Sequence, residues 1–238
     1  AGSGKTADCG LSFPNFLFIA GPGALQPIRQ LGGYEPAQTQ VNGIEEATRV
    51  IQDIAKSGKF TGITVDDMSH MVEQTFSQLE SRYRSNKLQM WGELRRLTLN
   101  FRDAARNAGL MIVMNCWEKG PRMYDGKHNR GGPMLSGKLP EQLPALCDLV
   151  LRCGIEPMRK PWPGVYKCGL DPDYVMKDRF NICSVLKTVP MNLGEILRAA
   201  GIKVSRYKGL EWQEDFVEQV AQKILAEGND IMLANEFY

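Results

Sequence analysis

Near its start the chain carries Gly2-Ser3-Gly4-Lys5-Thr6, the second half of the pattern G-x-x-x-x-G-K-[ST]. Each residue type there has a chemical use. Glycines let successive backbone N–H groups converge on phosphate oxygens without a Cβ in the way. A helix starting at this point adds the positive end of its dipole. Lys5 offers a point charge to the β- and γ-phosphates, and Thr6 offers a hydroxyl to Mg²⁺. Gly2, Ser3, Gly4, Lys5 and Thr6 are therefore a candidate cradle for ATP. The first glycine of the pattern and the strand that feeds it would lie upstream of Ala1. Read alone, the segment is equally a flexible N-terminal turn.

A second segment follows in the order this chemistry needs. Phe60-Thr61-Gly62-Ile63-Thr64-Val65-Asp66 reads as an apolar strand ending in a carboxylate. Such an ending puts Asp66 at the carboxyl edge of a sheet, where α/β proteins bind ligands, in position to hold Mg²⁺. Asp67 has two readings. It can cap a helix starting at Met68, or it can serve as the carboxylate that activates an attacking water. Cradle and strand-end aspartate together point to a nucleotide-binding P-loop fold. In Val113-Met114-Asn115-Cys116-Trp117-Glu118, Asn115 is a neutral donor and acceptor at another strand end. It suits a γ-phosphate sensor or an ordinary cap. Glu118 suits positioning a water or pairing with a loop lysine.

The elements that must position these residues alternate short apolar runs with longer amphipathic ones, the pattern of a largely parallel sheet. Strands are expected at Phe16–Ile19, Ile63–Val65 and Leu110–Met114. Helices are expected over Ile44–Ser57, Met71–Leu79 and Leu88–Ala108, the last stopped by Gly109. Gly120–Gly137, rich in Gly, Pro and charge, reads as a long mobile loop. Beyond it, Ala145–Ile155 and Gly164–Leu170 read as two strands joined through a turn, with Arg179–Val185 as a further strand. Leu193–Ala200 reads as a short helix and Glu214–Glu227 as an amphipathic one. The resulting division is an ATP-binding core over residues 1–200 and a helical extension over 201–238.

The 238 residues are 43% hydrophobic and 24% charged, enough for one α/β domain with a real core. The net charge of +2 excludes a general polycation, so affinity for nucleic acid has to come from local clusters. No apolar run approaches the roughly 20 residues that span a bilayer. With no signal peptide at the start, a cytoplasmic protein is expected. Six cysteines without a C-x-x-C pair, and only His70 and His128, argue for reduced thiols and against a zinc site.

Local basic clusters do exist. Lys119, Arg122, Lys127, Arg130 and Lys138 crowd the Gly-rich stretch, with Trp117 and Tyr124 available to stack on bases. A solvated surface loop is the alternative. Arg82, Arg84 and Lys87 form a second cluster, which also reads as a solvated helix face. Lys177 and Arg179 alternate along an expected strand and would share a face. They can act as cations on a neighbouring subunit's nucleotide, or pair with Asp173 or Asp178.

From Ala1 to about Asn192 the chain resembles the RecA-like recombination ATPases, in particular the phage ATP-binding proteins related to RecA and the eukaryotic recombinases. The resemblance is carried by Leu17–Leu25, Asp66, Val113–Glu118, Gly131-Gly132-Pro133 with Leu143–Arg152, and Tyr174–Arg179. It implies a RecA-like P-loop NTPase core, with a mostly parallel central sheet flanked by helices and a C-terminal β-hairpin and helix. It also implies ATP and Mg²⁺ as cofactors, single-stranded DNA as partner for recombination or annealing, and self-assembly into a filament or ring. Lys119, Arg122, Lys127 and Arg130 would fall in the family's second DNA loop, and Arg82 and Arg84 in the region of its first. One departure bears on catalysis. The family's glutamate after the second strand is matched by Pro22, which cannot act as a base, leaving Asp67 or Glu118 to substitute. The other readings are a helicase-like motor or loader on the same core and a nucleotide-stabilised structural module.

Overall fold

A computed structural model describes residues 4–158, 163–169, 171–182 and 187–204. The first half builds the core from α1 (Lys5–Ser12), β1 (Phe16–Ala20), α2 (Gln26–Gly32), β2 (Gln38–Thr39), α3 (Ile44–Ser57), β3 (Gly62–Asp66), α4 (Met68–Arg82), α5 (Lys87–Asn107) and β4 (Met111–Asn115). The four strands form one parallel sheet in the order β2-β1-β3-β4. It is the mostly parallel α/β P-loop architecture expected from the sequence.

Strand alternation splits the core in two. Leu17, Ile19, Ile63 and Val65 face a layer that holds Ile51 of α3, Val72 of α4 and Phe101 of α5. Phe16, Phe18 and Ala20 face the other layer, with Cys9 of α1 and Ile28 of α2. A sheet covered on both faces explains why these strands read as unbroken apolar runs. Gly62 is required where β3 begins, since a Cβ there would sit 2.5 Å from the Met111 carbonyl oxygen and from the Phe16 ring. The pairings Ala20↔Asp66 and Asp66↔Asn115 place these three residues in one row at the carboxyl edge. Strand β4 stands at the other margin of the sheet. Its first four residues are only half-buried, and a cleft of about 1560 Å³ opens beside it.

The Gly-rich stretch departs from expectation. It is a β-ribbon of two nested pairs. Strand β5 (Glu118–Lys119) pairs with β8 (Gly132–Pro133), and β6 (Arg122–Tyr124) pairs with β7 (Lys127–Asn129). The turn explains it: Asp125 and Gly126 both have positive φ, 52° and 69°, the geometry of a two-residue hairpin turn that Asp-Gly favours.

Beyond the ribbon come α6 (Leu139–Leu146), β9 (Leu149–Val150), β10 (Arg152–Ile155), β11 (Gly164–Lys167), β12 (Lys177–Asp178), β13 (Thr188–Pro190) and α7 (Leu193–Ala199). The expected strand over 145–155 therefore starts later, because α6 takes residues 145 and 146. The expected β-hairpin is present as β10–β11, with β13 added on its other side. The strand expected at 179–185 is displaced. β12 precedes it and pairs antiparallel with β9, while Arg179 and Phe180 form a turn. Residues 183–186 and the expected helix at 214–227 lie outside the described residues. The five described cysteines are free thiols. No described helix is long and apolar enough to cross a membrane.

This C-terminal module is tied to α1 by one buried carboxylate. Asp8 accepts hydrogen bonds from the Tyr166 hydroxyl, from Ser12 Oγ (3.2 Å) and from the Leu193 N–H (3.1 Å). Burial pushes its carboxyl up to about 6, against the lowering effect of those donors. A folded pKa above the unfolded value means that the folded chain binds the proton more tightly. The associated stability is full below the ordinary carboxylate value of 3.8 and is lost as pH rises through about 6. The loss is on the order of 3 kcal/mol. Denaturant unfolding across this window is expected to show the fall in the natural chain and not in Asp8→Asn. Parallel profiles for the two proteins would refute it.

Candidate functional site

The site is built where α1 meets the carboxyl ends of β3 and β4. Gly4 caps α1 with φ 90° and ψ 8°, a left-handed conformation that suits glycine. Gly4 has no side chain to occupy the first-turn N–H groups, which suits a helix start that is to receive an anion. Lys5 and Thr6 are its first two residues. Thr6 Oγ1 donates to Asp66 Oδ2 at 2.5 Å, and Asn115 Nδ2 donates to Asp66 Oδ1 at 3.3 Å. Cys9 Sγ reaches Asn115 Oδ1 at 3.7 Å. Two residues drawn from distant parts of the chain, Thr6 and Asn115, thus converge on one carboxylate. Burial pushes the Asp66 carboxyl up. The bonds from Thr6 and Asn115 oppose this, the charge of Asp67 adds to it, and Lys5 works against it.

A hydroxyl and a carboxylate oxygen in contact form a hard-oxygen pair that fits Mg²⁺, an ion usually held by one or two protein oxygens plus phosphate and water. No group of three His, Cys, Asp or Glu capable of caging a metal occurs among the described residues. The pair therefore suits an ion that arrives with phosphate.

The other expected site residues are distributed as follows. Gly2 and Ser3 lie outside the described residues. Asp67, joined to Asp66 through a cis peptide bond, caps α4 by accepting the His70 N–H at 2.6 Å. That satisfies the capping reading and leaves its other oxygen for a second partner. Glu118 pairs with no loop lysine. It accepts two bonds from Arg152, at 3.1 and 3.0 Å. In the turn after β1, Gly21, Pro22 and Gly23 are exposed and offer no carboxylate. Arg82 lies 3.8 Å from Glu45 at the start of α3, and Arg84 is exposed between α4 and α5. Lys119 is half-buried at the base of the ribbon, while Arg122, Lys127 and Arg130 are exposed along it.

Lys177 and Arg179 both hold intramolecular partners. Lys177 Nζ donates to the Ala145 carbonyl at 2.8 Å, and Arg179 Nη1 to Asp148 at 2.5 Å. The partner of Arg179 is therefore neither Asp173 nor Asp178. Tyr174 lies beside Arg152, and Arg179 beside Asp148.

A family model described as an AAA domain matches residues 1–180. The chain belongs to the AAA domain family. No curated protein and no solved structure matches it. Membership of this family implies nucleotide binding and usually Mg²⁺, and the Thr6–Asp66 pair offers oxygens of the kind that ion takes. Three contributors escaped sequence reasoning. Arg152 holds Glu118, Ser69 Oγ accepts the Trp117 N–H at 3.0 Å, and Asp8 anchors the cradle helix. Only Asp8, an acidic residue on the apolar side of a short helix, left a trace in the sequence pattern.

Proposed function

We propose that this AAA domain hydrolyses ATP and grips single-stranded DNA through the β5–β8 ribbon, assembling on the strand in recombination or annealing. The observation that carries this reading is the ribbon's origin and surface. It leaves the core three residues past Asn115 and exposes Arg122, Met123, Tyr124, Lys127 and Arg130 to solvent. Cations spaced along a narrow ribbon suit a phosphate backbone, and an aromatic ring among them suits an unpaired base.

Bound ATP would supply a γ-phosphoryl group, with Mg²⁺ neutralising its charge. In the protein, Lys5 and the α1 amides stabilise charge on the phosphate oxygens. Thr6 and Asp66 fix the ion, and Asn115 reads the strand-end geometry. Asp67 keeps an oxygen available to orient water. Action of Lys177 and Arg179 on a neighbour's nucleotide in a filament or ring would require them to exchange Ala145 and Asp148 for that phosphate.

One observation favours a second reading, a nucleotide-responsive module with little turnover. Pro22 leaves the β1 turn without a base, and Glu118 is held by Arg152.

Fluorescence anisotropy of a labelled single-stranded oligonucleotide tests the DNA reading. Binding is expected at low salt, tighter with Mg²⁺ and a slowly hydrolysed ATP analogue, and falling steeply as salt rises. Absence of binding at low salt, with and without nucleotide, would eliminate it. Phosphate release measured alongside separates the ATPase from the low-turnover module.

A further inference from the structure

Two of the contacts described above lie on one continuous path. Asn115 bonds to Asp66, which bonds to Thr6. Two residues on, the Trp117 N–H is held by Ser69, itself two residues past Asp67. Glu118 follows immediately and opens the ribbon at β5. Its position is thus tied to the nucleotide site through Asn115 and Trp117, both just ahead of it in the chain. The return leg of the ribbon is tied elsewhere. Gly131 N–H donates to the Asp173 carbonyl at 2.7 Å, and the Gly131 carbonyl accepts from the Val175 N–H at 2.9 Å. Gly131 packs against the Tyr174 ring, so closely that a Cβ would lie 2.5 Å from a ring carbon. His128 Nε2 also lies 3.2 Å from Asp173. Arg152 joins the two legs. Its guanidinium makes the two bonds to Glu118, and its central carbon lies 3.7 Å from the centroid of the Tyr174 ring.

We propose that Arg152 is the positioning residue that couples the nucleotide site to the ribbon, holding Glu118 on the outgoing leg against Tyr174, which cradles the returning one. The proposal rests on the nucleotide-binding, DNA-gripping reading above and names its regulation. A shift of the β4 end on nucleotide binding moves Glu118, and the bidentate pair carries Arg152 with it. The stacked ring then re-aims the ribbon. Lysine cannot replace arginine in this role, because an ammonium makes neither the two-bond fork nor the planar stack.

The test uses the full chain, Arg152→Met, Arg152→Lys and Tyr174→Leu. Nucleotide affinity is measured by calorimetry, and DNA affinity by anisotropy. Ribbon accessibility is read as the rate of tryptic cutting at Arg122, Lys127 and Arg130. In the natural chain a Mg²⁺-loaded ATP analogue is expected to change the cutting rate by about fivefold, the lower end of ordinary coupling. In all three variants the response is expected to shrink to less than about twofold, with nucleotide affinity retained. If Arg152→Met fails to fold, Arg152→Lys carries the same decision. A natural chain whose cutting ignores nucleotide, or an Arg152→Lys chain that responds in full, overturns the proposal. Failure of DNA binding alone removes the DNA reading and leaves the coupling decided by the tryptic rates.

Discussion

Lys5→Ala is expected to lower phosphate release from ATP by about a hundredfold or more, the scale of losing one preorganised donor to developing charge. The lysine stands at the first position of α1, directly after the left-handed Gly4, and its charge reaches Asp66. Several other cations that line the same cleft already have partners. Arg179 is paired with Asp148, Lys177 with the Ala145 carbonyl, and Arg102 with Asp103. None of these three can replace the lost ammonium without abandoning its partner. The substitution leaves the core intact, so the melting temperature should be unchanged. Steady-state phosphate release with calorimetric ATP binding checks this. Unchanged release in Lys5→Ala would place hydrolysis elsewhere. Loss of binding in a chain that never turned over would identify the lysine as a holder of nucleotide alone.

Replacing Arg122, Lys127 and Arg130 together with glutamine should weaken single-strand binding by about a hundredfold at 0.1 M salt. Three phosphate contacts at roughly 0.7 counterions each reduce the salt slope by about two. Tyr124→Ala is expected to cost a further 1–3 kcal/mol, roughly the value of one stacked base. These side chains are exposed and outside both core layers, so thermal stability should not move. Anisotropy titrations over a salt series check both numbers. An unaltered slope would mean that the ribbon does not touch the strand, and would direct attention to Arg82 and Arg84.

Where local chemistry decides structure, the sequence was legible. The 3.6-residue spacing of Ile44–Ser57 ends at Gly58, which takes φ 61° as a helix stop should. Phe16–Ala20, Gly62–Asp66 and Met111–Asn115 were readable because a doubly covered strand has no polar face. Asp67 announced its cap through its place before α4. The ribbon was misread because glycine and charge were given more weight than the Asp125-Gly126 pair. α6 was hidden because Pro140 and Pro144 look like breakers; Pro140 sits in the first turn, where its N–H is not needed, while Pro144 lies inside the helix and costs it one backbone bond. The deeper omissions are long-range. Glu118 and Arg152 are 34 residues apart, and Asp8 and Tyr166 are 158 apart. No periodicity links such residues. Only the folded sheet brings them together.

The half-buried margin of the central sheet has a consequence for how this protein behaves in bulk. Met111-Ile112-Val113-Met114-Asn115 carries no charge, no proline and no bulge, the devices that normally keep edge strands from recruiting a neighbour. Its composition is also that of segments prone to cross-β stacking. The same five residues end in Asn115, which bonds to Asp66 and is the proposed reporter of the nucleotide. Colloidal behaviour and the proposed phosphate sensing would then share one strand. Whatever widens the cleft beside it uncovers a template for intermolecular pairing, and whatever pins the strand shut protects the solution as well as the sensor.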